Sequence, residues 1–323
     1  MIMELFTSVK PELEEVEKLL QEKVSANVKH IEGATTYILS AGGKRLRPIL
    51  SILVSQLGSF NRERAVKIAY VVEYIHMASL IHDDIIDNAA KRRGRPSTNA
   101  KFGNHYCVLL GDYLFSKSLF DLSIYEKGNI NSVILKATNE MCEGQILQVL
   151  LNRKINITEE EYYEVIRTKT GALIAGGCKA AGLSSGQSEE SSGKLWHFGM
   201  NIGIAFQITD DILDVISTSQ KLGKPAGSDA REGNYTLPLI YTLNSANSVD
   251  KETILKLLSN MEMNDSDWER LKSFIEKYNG VKYAQDAGKK YVESAKNSLK
   301  DFPDCKAKHI LEKAADYCIE RTY

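Results

Sequence analysis

Hydrophobic residues along this chain recur every three or four positions over most of its length, and no segment alternates in the two-residue rhythm of a half-buried strand. Near the start, "ELEEVEKLLQEKV" places Leu13, Val16, Leu19, Leu20 and Val24 at helical spacing. Further on, "SGKLWHFGMNIGIAFQITDDILDVI" is apolar around most of its circumference, the pattern of a helix at the centre of a core. "ITEEEYYEVIRTKTGALIAGGCKAAGL" predicts another helix, with Thr158 as N-cap and Glu161 three residues later, the signature of a capping box. Proline usage agrees. It occurs as Pro11, Pro48, Pro96, Pro225, Pro238 and Pro303, with none between Pro96 and Pro225. A proline inside a helix costs about 3 kcal/mol, so helices are the simplest content for that stretch. Glycine-, serine- and charge-rich segments at 40–48, 88–97, 183–192 and 221–238 mark connections. No low-complexity linker divides the chain. The pattern predicts one all-α domain over 1–323, of about ten or more helices, with a C-terminal third that is helical but carries no motif.

Composition narrows the classes. The 323 residues are 43% hydrophobic and 26% charged with a net charge of −1, a balance that gives no reason to expect nucleic-acid or membrane binding by bulk charge. Five cysteines, Cys107, Cys142, Cys178, Cys305 and Cys318, are scattered and form no CxxC pair. They read as reduced core thiols of a cytoplasmic protein, neither a disulfide framework nor a zinc site. The opening residues lack a basic stretch followed by an apolar run, and no segment approaches the roughly 20 apolar residues of a membrane span. Any membrane contact is expected to be peripheral.

The chemistry is concentrated in "SLIHDDIIDNAAKRRGRPS", residues 79–97. Asp83, Asp84 and Asp87 lie within little more than one helical turn, among Leu80, Ile81, Ile85 and Ile86. Like charges so close repel by a few tenths of a kcal/mol per pair on a helix. Carboxylates crowded beside a core normally hold a cation. One such triplet is a pattern that solvated helix faces supply freely. "FQITDDILD", residues 206–214, repeats it at identical spacing with Asp210, Asp211 and Asp214, and two are much harder to dismiss. Oxygen ligands without a neighbouring His or Cys constellation suit Mg²⁺, which is commonly shared between one or two carboxylates and substrate phosphates. Two facing clusters would clamp metals around a diphosphate. Arg92 and Arg93 follow the first cluster and Lys224 the second, each able to neutralise phosphate oxygens. "GGKRLRP" adds Gly42 and Gly43 with Lys44, Arg45 and Arg47, beside a helix start predicted at Pro48. It is either an anion site or a basic turn facing solvent. His76, seven residues before Asp83, shares the aspartate face, as a ligand-binding group or a hydrogen-bonded core histidine.

Together these residues resemble the trans-isoprenyl diphosphate (polyprenyl) synthases, whose signatures occur in order as "GGKRLRP", "HDDIID" with "RRGRPS", "RTKTGAL", "FQITDDILD" and "GKPAGSDAREGNYTLP". The resemblance implies the isoprenoid synthase fold, helices around a deep apolar cavity, and usually a dimer. It implies that Asp83, Asp87 and Asp210 bind Mg²⁺ directly, with Asp84, Asp211 and Asp214 in support. Arg92, Lys169, Thr170, Gln207 and Lys224 would hold the allylic diphosphate, Lys169 and Lys224 taking part in catalysis. Lys44, Arg47, His76 and Arg93 would hold isopentenyl diphosphate. Apart from the resemblance, Lys169 and Thr170 read as an exposed helix turn and Gln207 as a satisfied core amide.

The implied reaction is condensation in trans of isopentenyl diphosphate with an allylic diphosphate. Product length would depend on what blocks the cavity beneath the first cluster. Ala78 and Ser79, one turn before Asp83, are small where short-chain relatives often carry an aromatic plug, and Ile75, Val72 and Val71 are aliphatic. The expectation is a hexaprenyl to decaprenyl product, heptaprenyl favoured, against a farnesyl or geranylgeranyl alternative. Asn234 departs from the family, many of whose members carry a lysine there that touches the leaving diphosphate. In this it is similar to the catalytic component of two-component heptaprenyl diphosphate synthases, so the chain is expected as a homodimer or with a small regulatory component. Two other classes compete. A class I terpene cyclase needs no second diphosphate site and usually carries a different second metal motif; a purely regulatory subunit would not need all six aspartates.

Overall fold

The computed structural model describes residues 2–22, 29–125, 128–217 and 226–320, and nearly all regular structure in them is helical. The chain divides into two compact units. One comprises Met1–Asn139, Leu173–Gly199 and Lys296–Ala314; the other comprises Glu140–Ala172, Met200–Ala295 and Ala315–Tyr323.

The first unit is organised around the helix Arg62–Ile86, which carries the first acidic cluster at its C-terminal end. Asn61 starts it, its side chain accepting from the Arg64 amide. A cap of this kind contributes about 1 kcal/mol. From Ala65 to Ala78 the helix is buried on nearly every side, Tyr70, Val71, Val72, Tyr74 and Ile75 among its inaccessible residues. It packs against helices Lys10–Glu22, Leu46–Ser55 and Asn104–Tyr125. Helix Leu46–Ser55 is itself engulfed, with Ile49, Leu50, Ile52, Leu53 and Val54 buried. Each such aliphatic side chain contributes about 1.5–3 kcal/mol when removed from water. The helix starts at Leu46, two residues before Pro48. Proline is tolerated in a first turn, where its missing N–H has no partner to lose.

The segment 88–97, read as irregular from the sequence, contains a small antiparallel hairpin that pairs Lys91 with Pro96 and Arg92 with Arg95. Its turn residues Arg93 and Gly94 have φ of 52° and 76°. Both central positions at positive φ define the turn whose twist matches a two-residue hairpin.

In the second unit, helices Leu237–Ser245, Ser248–Leu258 and Asp265–Lys277 and most of Gly280–Ser298 supply the core through Ile240, Ile254, Trp268, Leu271, Ile275 and Val292. The capping box forms as expected: Thr158 accepts from the Glu161 amide and Glu161 accepts from the Thr158 amide. The helix it starts ends at Ile166, however. Residues Arg167–Gly171 form a π-helical turn before helix Ala172–Ser184 begins. Cys107, Cys178 and Cys318 are core thiols as expected, whereas Cys142 is exposed and Cys305 half-buried.

Candidate active site

In the first unit a basic pocket forms beside the first acidic cluster. Gly42, Glu73, His76, Asp84, Arg92 and Arg93 line it, with Arg95 at the hairpin. Gly42 has φ of 68°, a conformation that only glycine adopts without cost, and it turns the loop after helix Lys29–Ser40. Arg93 Nη1 donates to the Ala41 carbonyl at 3.4 Å. An added Cβ at Gly43 would stand 3.2 Å from the same guanidinium, so the second glycine makes room for Arg93. Burial pushes the His76 imidazole well below its usual range, and Arg47, Arg92, Arg93 and Arg45 push the same way. His76 is therefore a neutral imidazole among arginines, able to donate one hydrogen bond to an anion. Arg47 is half-buried, and Lys44 is exposed on the loop.

The three acids of this cluster differ in environment. Asp84 is 1% exposed and binds Arg92 Nε at 2.6 Å. Burial raises its pKa, with Arg92 pulling against the shift. Asp83 is half-buried, and Asp87 caps the helix C-terminus, exposed. The structure thus brings Arg92 into the pocket of His76 and Arg93, although the resemblance implied different substrates for them. One turn before Asp83, Ala78 is fully buried and Ser79 donates to the His76 carbonyl at 2.8 Å.

In the second unit the residues from the sequence reading are joined by a chain of hydrogen bonds. Thr170 Oγ1 donates to Gln207 Oε1 at 2.9 Å, and Gln207 Nε2 donates to Asp211 Oδ1 at 2.9 Å. Tyr162 Oη donates to Asp211 Oδ2 at 2.6 Å. The chain fixes which way the Gln207 amide points. Burial pushes the Asp211 carboxyl up to about 7, with Tyr162 and Gln207 holding it down. Lys169 Nζ donates to Gln148 Oε1 at 2.8 Å. The π turn sets this geometry, and such turns often mark functional sites. Glycine makes it possible: a Cβ at Gly144 would strike Thr168 and Lys169, one at Gly171 would strike Met200, and one at Gly203 would strike Gly171.

Asp214 does not match its counterpart Asp87. It is buried, accepting from Ser228 Oγ at 2.8 Å and from the Asp229 amide at 3.1 Å. Its carboxylate thereby anchors the short helix Ser228–Glu232, whose N-cap Gly227 has φ of 68° with the Trp268 ring against its α-carbon. Asp210 is half-buried. Asn234 Oδ1 accepts from Asn152 Nδ2 at 3.2 Å, and the Arg153 amide donates to the Gly233 carbonyl, so this loop is fastened to the end of helix Asn129–Leu151. Lys224 lies outside the described residues.

Sequence reasoning missed Tyr162, Gln148 and Glu73. A Glu inside the apolar run "YVVEYIHM" was a readable sign of a buried partner cation. Nothing in the sequence marked Tyr162 or Gln148. Tyr162→Phe is expected to destabilise the fold by about 1–3 kcal/mol, since a buried acceptor loses a donor. It should also raise KM for the allylic diphosphate that the resemblance places at Thr170 and Gln207. Urea unfolding and steady-state kinetics check both effects, and unchanged values would remove Tyr162 from the site.

A family model described as "Polyprenyl synthetase" matches residues 28–276. The chain is 36% identical over 307 residues to a geranylgeranyl diphosphate synthase of Saccharolobus solfataricus, covering 92% of each protein. It is 34% identical over 319 residues to heptaprenyl diphosphate synthase component 2 of Geobacillus stearothermophilus, covering 99% of this chain and 98% of that one. Among solved structures, a polyprenyl synthase from Caulobacter crescentus, complexed with calcium and isoprenyl diphosphate, is similar with a TM-score of 0.95 at 30% identity, over 100% of this chain and 98% of the other. The chain belongs to the polyprenyl synthetase family, with its all-α isoprenoid synthase fold. It is a prenyltransferase.

Proposed function

We propose that this protein condenses isopentenyl diphosphate with an allylic diphosphate in trans, using Mg²⁺, to make a medium- or long-chain polyprenyl diphosphate, heptaprenyl favoured. The observation that carries the reading is the partition of the acids. Asp84, Asp211 and Asp214 are buried, while Asp83 and Asp210 are half-buried and Asp87 is exposed. The latter three are the residues proposed as metal ligands. Among the described residues no group of three or more acids, histidines or cysteines is arranged to hold a metal by itself. Mg²⁺ keeps several waters and takes one or two carboxylates with substrate phosphates. The Caulobacter relative's complex with calcium and isoprenyl diphosphate supports a divalent ion beside this class of substrate.

Magnesium, when bound, offsets charge building on the departing diphosphate. Lys169, Thr170, Gln207, Arg92 and Lys224 orient the allylic diphosphate, so that its C–O bond breaks and the oxygen leaves with the electron pair. Lys44, Arg47, His76 and Arg93 hold isopentenyl diphosphate, whose double bond attacks the allylic cation. A new C–C bond forms, and a proton is lost to the released pyrophosphate. Exclusion of water from the site would keep the cation from being quenched.

The match over residues 28–276 supports one polyprenyl synthase domain. Leu109, Phe120 and Ile124 are exposed on helix Asn104–Tyr125, at spacings that put them on one face. A homodimer would cover that face. The component 2 relative supports a heterodimer with a small regulatory component instead. No described helix is long and apolar enough to cross a membrane, so release of a long product would rest on peripheral contact from a cytoplasmic enzyme.

A shorter, farnesyl or geranylgeranyl, product is the second reading. It is favoured by Tyr74, fully buried four residues before Ala78 with its ring 5.3 Å from that of Tyr70. Incubating the purified chain with Mg²⁺, farnesyl diphosphate and labelled isopentenyl diphosphate tests these readings. A linear elongated product is expected, abolished by EDTA. A cyclic hydrocarbon would replace the synthase with a cyclase, and turnover only after adding a second protein would establish the two-component form.

A further inference from the structure

We propose that Arg45, the middle cation of "GGKRLRP", is a positioning residue that masks the charge of Glu73 in the wall of the isopentenyl diphosphate pocket. This rests on the assignment of that pocket given above. By sequence Arg45 is one cation of a stretch that is either an anion site or a basic turn, between Lys44 and Arg47. The structure gives it other work. Its side chain is 8% exposed and is held from two sides. Arg45 Nε and Nη2 donate to Glu17 at 2.5 and 3.2 Å, and Nη1 donates to Glu73 Oε1 at 2.7 Å. One guanidinium therefore ties helix Lys10–Glu22 and the aspartate helix to the glycine loop. The Arg45 backbone has φ of 45°, the left-handed region that side-chain-bearing residues rarely adopt. Burial opposes its charge, but Glu73 and Glu17 raise its pKa above the ordinary value.

Glu73 gives the arrangement a bearing on substrate. Its side chain is 5% exposed and lines the same pocket as His76, Arg92 and Arg93. An uncompensated carboxylate in that wall would repel an incoming diphosphate and pull the neighbouring arginines toward itself. Arg45 offsets the Glu73 charge inside the pocket wall, while its second partner, Glu17, is 35% exposed and screened by solvent, so that Arg93 and His76 face the anion. A brace that merely holds helices together would lose stability on mutation and affect both substrates alike. A charge mask would affect one substrate, and removing the masked charge would restore it.

Steady-state kinetics against each substrate separates these roles. Arg45→Met is expected to raise KM for isopentenyl diphosphate about tenfold or more, because an unpaired buried charge is strongly unfavourable, while KM for farnesyl diphosphate stays within about twofold. Arg45→Lys, which keeps the charge, should show a smaller rise. Adding Glu73→Gln to Arg45→Met should bring KM back to within about threefold of the parent. An equal rise for both substrates would overturn the proposal, as would failure of Glu73→Gln to restore KM in a double variant folded by circular dichroism. Should Arg45→Met not fold, Glu73→Gln alone decides. It leaves Arg45 on Glu17 and should keep or lower KM for isopentenyl diphosphate; a rise would overturn the mask. Absence of isopentenyl incorporation by the parent protein, both alone and with an added second component, would instead overturn the functional reading, which is a different failure.

Discussion

Asp83→Asn is expected to lower kcat about a thousandfold, because a charge acting in the transition state is lost, while lowering the thermal unfolding temperature less than Asp84→Asn does. The substitution keeps shape and removes charge. Asp83 is half-buried near the end of the aspartate helix. Its neighbour provides the contrast. Asp84→Asn would strip the buried Arg92 ion pair of its anion and should cost stability as well as activity. In the second cluster Asp210→Asn should behave like Asp83→Asn. Asp214→Asn should act chiefly on stability, by about 1–3 kcal/mol, because its carboxylate anchors Ser228 and Asp229. Kinetics paired with calorimetry reads all four variants. If Asp83→Asn kept most of its turnover, the assignment of that acid to the metal would fail.

The second large effect is on product length. Ala78→Phe is expected to shorten the polyprenyl product by one or more isoprene units and to destabilise the fold by about 1–3 kcal/mol through overpacking. Ala78 is fully buried on the aspartate helix, five residues before Asp83, and Phe would project a ring where only a methyl group now stands. The buried Tyr74 lies four residues earlier, one helical turn away. Tyr74→Ala should therefore lengthen the product if that ring ends the cavity. Chromatography of dephosphorylated products reads both variants. An unchanged distribution in Ala78→Phe would sink the idea that this position meets the growing chain.

Local signals in the sequence were accurate where local physics decides. Thr158 and Glu161 form their capping box because both partners lie within one turn. The long apolar segment that carries Asp210 is the helix Glu189–Ile216. What failed depended on distant partners. The helix drawn across 157–183 is interrupted at Arg167–Gly171 by a π turn, where Gly144 and Gly203 allow neighbouring backbone to come close. No periodicity within the segment records those contacts. The two aspartate triplets share a spacing but not an environment, since Asp87 ends its helix at the surface and Asp214 lies inside, bound to Ser228. Arg45 reads as part of either an anion site or a basic turn, and its partners Glu17 and Glu73, each 28 residues away, leave no mark in the local sequence. The resemblance to a family supplied roles for Lys169, Thr170 and Gln207 that their residue types alone did not.

Stoichiometry tests prenyl transfer most directly. In one reaction with Mg²⁺ and an allylic primer, released pyrophosphate and incorporated isopentenyl label are followed together. Elongation predicts equal amounts at every time point, both stopped by EDTA and both lowered in Asp83→Asn. Pyrophosphate released from the primer without matching incorporation, in a sample that sediments as folded protein, would contradict it.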